Sequence, residues 1–376
     1  MPTLSARSVI PPYMLRRIVE HGSAPQRDCA LHTLNHVQSL LGNPPLRTPG
    51  AGTARAGEAL RDIYDAQNGT QLPGKQVRKE GQPSNRDVAV DEAYDYLGVT
   101  YDFFWQAFQR NSLDNRGLPL TGSVHYGKEY QNAFWNGQQM VFGDGDGEIF
   151  NRFTIAIDVV GHELAHGVTE SEAGLIYYQQ AGALNESLSD VFGSLVKQFH
   201  LRQTAGQADW LIGAGLLAKG INGKGLRSMS APGTAYDDPL LGKDPQPADM
   251  QGYVQTKEDN GGVHLNSGIP NRAFYLAATA LGGFAFIPKL AGLRRIALAD
   301  ITPAQRQRLN QLLNQTLPYA REAGQPDSPG CGDQRYFRVQ INYASQNLCS
   351  EIVLLIPETR APQALVDLWK TGQVDE

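Results

Sequence analysis

The stretch His162-Glu163-Leu164-Ala165-His166, with Glu186 twenty residues beyond it and Asp190 four further on, decides how this chain is read. Residues four apart on an α-helix lie one turn apart on the same face, so His162 and His166 present two imidazoles to one point. Such a pair suits Zn²⁺, which takes histidine nitrogen at about 2.0–2.1 Å. Glu163 falls beside the pair rather than on it, the position of a general base for a zinc-bound water. A surface helix can carry two solvated histidines at this spacing by chance. The flank Ile155-Ala156-Ile157-Asp158-Val159-Val160 is too apolar for a solvated helix. A catalytic zinc also needs a third protein ligand and an open position for water. Glu186 supplies the ligand after a turn and a returning helix. Asp190 lies on the same helix face, placed to take the second N–H of a metal-bound histidine. The alternative for both carboxylates is a solvated face, which Leu184, Leu188, Val191 and Phe192 leave little room for.

Attack on a carbonyl by zinc-activated water makes an oxyanion, which needs donors besides the metal. Asp259-Asn260-Gly261-Gly262-Val263-His264 offers His264 as donor, with Asp259 to orient its ring. Taken alone, this turn is equally an ordinary histidine at a helix start.

The bulk composition narrows the classes. At 376 residues the chain is long enough for two or three domains, and 41% hydrophobic residues allow a substantial core. A formal net charge of −5 argues against a nucleic-acid surface. No run approaches the ~20 apolar residues of a membrane span. Residues 1–10 lack the apolar core of a secretory signal, and Pro11-Pro12 interrupt them. The chain is therefore expected to stay in the cytoplasm or to be secreted by a non-classical route. Three cysteines, Cys29, Cys331 and Cys349, make no disulfide framework, although Cys331 and Cys349 can pair in an oxidising place. Their spacing suggests no cysteine metal site.

Along the chain, residues 1–50 form a unit of their own. An amphipathic run follows Pro11-Pro12, and residues 29–37 have helical spacing. Gly42-Asn43-Pro44-Pro45 stops that helix, and Thr48-Pro49-Gly50-Ala51-Gly52 reads as an exposed linker. From about residue 60 short strand-like runs alternate with turns. Residues 91–110 are aromatic-rich and helical, and Ser123-Val124-His125-Tyr126 alternates like a strand. Helices are expected over about 155–169, 182–199 and 261–280.

These residues resemble the thermolysin family of neutral metalloproteases from about 60 to 280. The matching motifs, in order, are Asn132-Ala133-Phe134-Trp135-Asn136-Gly137, Gly143-Asp144-Gly145-Asp146-Gly147, the 162–166 pair of histidines, Gly182-Ala183-Leu184-Asn185-Glu186-Ser187-Leu188-Ser189-Asp190, Arg227-Ser228-Met229-Ser230 and residues 260–268. The short leader with Pro11-Pro12 resembles the protealysin branch, whose precursors carry a small propeptide. The resemblance implies a zinc endopeptidase that cuts before bulky apolar residues. It implies His162, His166 and Glu186 as ligands of one zinc, Glu163 as general base, and Asp190 as partner of the first histidine. Tyr177 and His264 match oxyanion donors, with Asp259 as partner of His264. Asn132 and Ala133 match substrate-backbone contacts, and Arg227 matches the residue that grips the substrate carbonyl.

Two departures modify that expectation. At the family's double calcium site Asp158 and Asp209 match, but Lys197, Leu211 and Ala214 replace carboxylates. Calcium takes six to eight oxygens, so the double site is expected to be absent, with the Lys197 ammonium paired to Asp158 or Asp209. After Leu281-Gly282-Gly283-Phe284-Ala285 the likeness to the protease fades. A helix near 302–317, strands near 336–341 and 351–356, and a last apolar helix near 362–369 resemble emfourin, a small protease inhibitor. The expected class is α+β. A propeptide (1–50) precedes a β-rich peptidase domain (51–160). A truncated helical zinc domain (161–284) and an emfourin-like α/β module (285–376) follow. Expected partners are peptide or protein substrates and, through the module, a thermolysin-like protease. The competing reading is a weakly active or inactive protease–inhibitor fusion that regulates such proteases. Cys29 as a zinc-bound thiolate is the lesser reading of that residue; a small buried apolar role is the commoner one.

Overall fold

Alternating apolar residues between positions 61 and 142 build a sheet, and the apolar runs after it build helices. The computed structural model describes residues 7–42, 54–280, 301–319, 321–322, 336–345, 348–357 and 360–371. The chain divides into two units, residues 1–287 and 288–376. The linker Thr48-Pro49-Gly50-Ala51-Gly52, the fading point at 281–285 and Cys331 lie outside the described residues.

In the first unit the leader contributes β1 (Arg7–Ser8), α1 (Pro12–His21) and α2 (Ala24–Gly42). Then come β2 (Arg61–Asp65), β3 (Lys75–Lys79), α3 (Val88–Phe108), β4 (Leu120–Val124), β5 (Ala133–Trp135) and β6 (Met140–Phe142). Six strands form one sheet in the order β1-β5-β6-β4-β2-β3, with β2–β4 and β4–β6 parallel. The leader strand thus sits on the sheet edge, antiparallel to β5, with Arg7 opposite Trp135 and Ser8 opposite Phe134. Helix α3 starts where the Asp87 carboxylate accepts the N–H groups of Ala89 and Val90, an N-cap. Its Ala93, Leu97, Tyr101 and Phe104 face the core. Met14, Leu15 and Ile18 of α1 are buried in that same core, so the leader is packed as part of the unit.

The helical half contains α4 (Ile157–Glu172), α5 (Gln179–Leu201), short pairs β7 (Leu211–Ile212) with β8 (Arg227–Ser228) and β9 (Asp237–Asp238) with β10 (Gly242–Lys243), then α6 (Asp259–Asn266) and α7 (Gly268–Ala280). Helices α4 and α5 cross closely at Gly193. A Cβ there would lie 2.3 Å from the Asp158 carbonyl oxygen, so only glycine permits the approach that carries Glu186 to the histidines. The helix expected over 261–280 is two helices. Pro270 cannot donate to the Asn266 carbonyl, and the chain breaks at Ser267. The strand expected over 123–126 ends at Val124, because His125 turns to φ 53°.

That turn places the His125 ring between two carboxylates. Nδ1 lies 2.8 Å from Asp144 Oδ2 and Nε2 lies 3.1 Å from Asp87 Oδ2. The hydrogen bond to Asp144 leads the causes that outweigh partial burial and raise the His125 pKa to about 9. The folded-state value is raised, so the stabilisation is complete below about pH 6.5, the ordinary histidine value, and fades as pH rises through 9. His125→Gln is expected to cost up to about 2 kcal/mol at pH 6, allowing for solvent screening of the half-exposed carboxylates. Denaturation of both forms at pH 6 and pH 10 checks this. A gap that does not narrow at pH 10 removes the imidazolium from the account.

The second unit holds α8 (Pro303–Thr316), β11 (Arg321–Glu322), β12 (Tyr336–Ser345), β13 (Leu348–Pro357) and α9 (Gln363–Thr371). Thr302 and Gln305 form a capping box at the start of α8. The sheet is antiparallel in the order β11-β13-β12, and Leu312, Leu354, Ile356 and Leu365 form its core. No helix among the described residues is long and apolar enough to cross a membrane.

Candidate metal centre

Helix α4 brings His162 and His166 together, and α5 returns Glu186 to face them. The two Nε2 atoms are 3.1 Å apart. Glu186 Oε2 is 3.5 Å from His162 Nε2, and Oε1 is 3.3 Å from His166 Nε2. All three side chains are fully buried, and one ligand atom from each lies within 4.8 Å of the others.

The tautomers follow from the surroundings. His162 Nδ1 donates to Asp190 Oδ1 at 2.8 Å. His166 Nδ1 donates to Asn185 Oδ1 at 2.8 Å, with Ser189 Oγ 2.9 Å from the same nitrogen. With both Nδ1 atoms committed, both Nε2 lone pairs point at one another across the gap. Glu186 Oε2 is buried there and accepts no hydrogen bond. Two ring nitrogens and a carboxylate oxygen brought this close suit a shared cation, besides the His264 ring 3.5 Å from Glu186 Oε2. The donor set, two nitrogens and one oxygen with a place left for water, is that of a catalytic zinc.

Asp190 does more than the sequence revealed. Besides His162 it accepts Arg227 Nε and Nη2, each at 2.8 Å, and Asn271 Nδ2 at 2.8 Å. Burial pushes its pKa up, but the Arg227 cation and then His162 hold the carboxyl well below its ordinary range. The cover expected from Leu184 is absent, since that side chain is exposed. Glu186 and Asp190 are nevertheless fully buried.

The remaining candidates converge on the same place. Glu163 Oε2 accepts the Trp135 N–H at 3.1 Å. Tyr177 Oη donates to Glu186 Oε1 and lies 3.3 Å from His264 Nε2. His264 Nδ1 donates to Asp259 Oδ1 at 2.6 Å, and Asp259 Oδ2 accepts the His264 backbone N–H at 2.9 Å. That closure depends on a left-handed run through Asp259, Asn260, Gly261 and Gly262, with φ of 51°, 49°, 84° and 79°. Two of its four places are glycine, the residue that adopts this region without steric cost. Burial lowers the His264 pKa, but Asp259 and Glu186 outweigh it and raise the value to about 9.

The leader occupies the groove beside these groups. Val9 N–H donates to the Ala133 carbonyl at 3.2 Å, and Arg227 Nη1 donates to the Val9 carbonyl at 3.1 Å. Ile10 N–H donates to Asn132 Oδ1 at 3.0 Å, and Asn132 Nδ2 donates to the Ile10 carbonyl at 3.3 Å. His264 Nε2 lies 3.2 Å from the Ser8 carbonyl oxygen. Val9 and Ile10 are fully buried. Cys29 does not join the metal ligands. Its thiol donates to Glu129 Oε2 at 3.3 Å, and burial and that bond push its pKa up to about 11. Lys197 Nζ lies 3.1 Å from Asp158 Oδ2, 2.8 Å from Asp209 Oδ2 and 3.3 Å from the Leu211 carbonyl.

Family comparison agrees with this arrangement. The thermolysin metallopeptidase catalytic-domain model matches residues 51–170, and the model for its α-helical domain matches 173–309. The protealysin propeptide model matches 7–49, and the emfourin model matches 279–373. The last two protease and emfourin matches overlap at 279–309. An extracellular metalloprotease of Pectobacterium carotovorum subsp. carotovorum is 66% identical over 313 residues, 83% of this chain and 90% of that one. An extracellular minor metalloprotease of Serratia marcescens is 62% identical over 79% of this chain and 84% of that one. The structure of the precursor of protealysin from Serratia proteamaculans superposes with a TM-score of 0.70 at 76% identity, covering 84% of this chain and 94% of that chain. A buried triad suited to zinc, a leader lying in the groove beside it and relatives of this identity and coverage lead to one assignment: the chain belongs to the thermolysin family of metallopeptidases, as a metalloprotease with a protealysin-type propeptide and an emfourin domain.

Proposed function

We propose that the chain is the latent precursor of a zinc metalloendopeptidase that hydrolyses peptide bonds before bulky apolar residues. The observation that carries this is the convergence of two Nε2 lone pairs on Glu186, with both Nδ1 atoms already committed. His162, His166 and Glu186 would hold the zinc, which when bound supplies an acidified water and a polarised carbonyl. Glu163 takes the proton of that water and returns it to the leaving nitrogen. Tyr177 and His264 donate to the oxyanion, and Asp259 fixes the His264 ring. Asn132, Ala133 and Arg227 hold the substrate backbone, and Asp190 holds His162 and Arg227. Residues 1–50 are the leader, and their strand fills these same contacts, so a substrate cannot enter while it is seated. The peptidase portion is assigned to 51–160 and 161–284, and the inhibitor-like module to 285–376.

Elemental analysis of the purified chain should give one zinc per chain, and chelation should abolish casein cleavage by the chain freed of residues 1–50. Glu186→Ala should lose the zinc; full occupancy in that variant would show the ligand set to be wrong.

The Lys197 ammonium stands among Asp158, Asp209 and the Leu211 carbonyl, and we read it as taking the place of the family's calcium. Ligands that bind only the native state raise its stability by mass action. Added calcium is therefore expected to shift the melting temperature little. A rise of many degrees that Asp158→Asn abolishes would restore the calcium site.

A second reading is favoured by the emfourin match alone. In it the module binds another thermolysin-type protease in trans. Full-length chain inactivated by Glu163→Gln, titrated against such an enzyme, should inhibit it at micromolar concentration if that reading holds. Secretion is proposed from the names of the extracellular relatives.

A further inference from the structure

The leader does not merely cover the groove; it lies in the direction and register of a chain about to be cut. Antiparallel to β5, its backbone meets the groove contacts one after another. The Ser8 carbonyl oxygen faces His264 Nε2 at 3.2 Å, on the side where Tyr177 Oη reaches both His264 and Glu186. The next N–H, that of Val9, is bonded to Ala133, and the next carbonyl is gripped by Arg227. The Ile10 N–H and carbonyl are both held by the Asn132 side chain. The peptide bond between the oxyanion donors and the Ala133 contact is Ser8–Val9. The residue after it, Val9, is apolar and fully buried. A cavity of ≈ 340 Å³, lined by Ser8, Tyr177, Asp259, Asn260 and His264 among others, opens beside Ser8 on the side of the oxyanion donors.

We propose that Ser8–Val9 is a self-cleavage site of this chain, hydrolysed intramolecularly by the site in which it lies. The proposal rests on the metalloendopeptidase reading above. The step consumes one water. Its oxygen bonds to the Ser8 carbonyl carbon, the C–N bond to Val9 breaks, and Glu163 carries a proton from the water to the Val9 nitrogen. The second proton of the water passes from the new carboxyl to the same nitrogen, so the products are a Ser8 carboxylate and a Val9 ammonium, with no oxidant or further reactant.

The cut removes residues 1–8 and does not by itself free the leader. Met14, Leu15 and Ile18 remain buried in the core. His36 of α2 stays between Tyr130 Oη at 2.8 Å and Tyr126 Oη at 3.0 Å. Trimming is therefore a step distinct from the removal of residues 1–50.

The test uses the full chain loaded with zinc and followed by intact mass at two protein concentrations tenfold apart. The expected result is loss of residues 1–8 at a rate independent of concentration. Glu163→Gln should keep its full mass. Val9→Asp should slow the cut at least about tenfold, because a carboxylate is costly to bury at that place. A readout independent of activity is hydrogen exchange in the uncut Glu163→Gln chain. The Val9 and Ile10 amides should be protected, and Asn132→Ala should speed exchange at Ile10. A zinc-loaded full chain whose Ser8–Val9 bond persists, while the chain freed of residues 1–50 digests casein, overturns the proposal and leaves the peptidase reading standing. A rate proportional to concentration, or unprotected Val9 and Ile10 amides, overturns it too. A full chain that does not cut itself, together with a chain freed of residues 1–50 that does not cleave casein, defeats the peptidase reading and the proposal together.

Discussion

Glu163→Gln is expected to keep its zinc and its fold and to lose peptidase activity by about 10²–10⁴-fold, the range of one general base. Glutamine has the same shape. Its side-chain oxygen can still accept the Trp135 N–H that Glu163 Oε2 accepts at 3.1 Å. The melting temperature and zinc content should therefore match those of the parent. An amide cannot take a proton from water at neutral pH, so the fall should appear in kcat rather than in substrate binding. The measurement is kcat and KM on a peptide with a bulky apolar residue after the scissile bond, using protein freed of its leader. A kcat within tenfold of the parent would mean that another group activates the water. Loss of zinc in the variant would mean that Glu163 is a ligand instead.

What the sequence showed and what it hid follow from the range of the forces involved. The histidine pair and Glu186 are set by helical spacing, a local rule, and the structure brings them to one point. The same rule applied to α5 finds Asn185 and Ser189, four apart, which share His166 Nδ1. Sequence alone does not single out that pair, because neither residue is a metal ligand and hydroxyl and amide side chains are common on helices. Arg227 and Asn271 meet Asp190 across 37 and 81 residues of chain, and no local period reports such a meeting. For Lys197 the resemblance offers Asp158 or Asp209 as partner, and the structure pairs it with both. The helix break at Ser267 was visible in Pro270, and the left-handed run in Gly261-Gly262, but the apolar spacing of the following residues masked both. In the leader, composition marked a separate unit, whereas the placing of Val9 and Ile10 on β5 depends on strand pairing over more than 120 residues.

The long-range meeting at Asp190 supports the second large effect. Asp190→Ala is expected to cost about 3–5 kcal/mol of stability in the metal-free chain, the cost of leaving a buried charge without its partner. Arg227 is fully buried, and Asp190 takes two of its N–H groups. Zinc affinity should fall about 10–100-fold as well, because His162 loses the acceptor that fixes its tautomer. The two losses have different origins and can be separated. Adding Arg227→Met removes the stranded cation, and exchanging both members of a buried ion pair for apolar groups is often near neutral. The double variant should thus regain most of the stability in denaturant unfolding. It should not regain zinc affinity in a competition titration, since His162 Nδ1 still has no carboxylate to donate to. A single variant that loses less than about 1 kcal/mol would show that solvent reaches Arg227. Recovery of zinc affinity in the double variant would show that Asp190 acts on the metal through Arg227 rather than through His162.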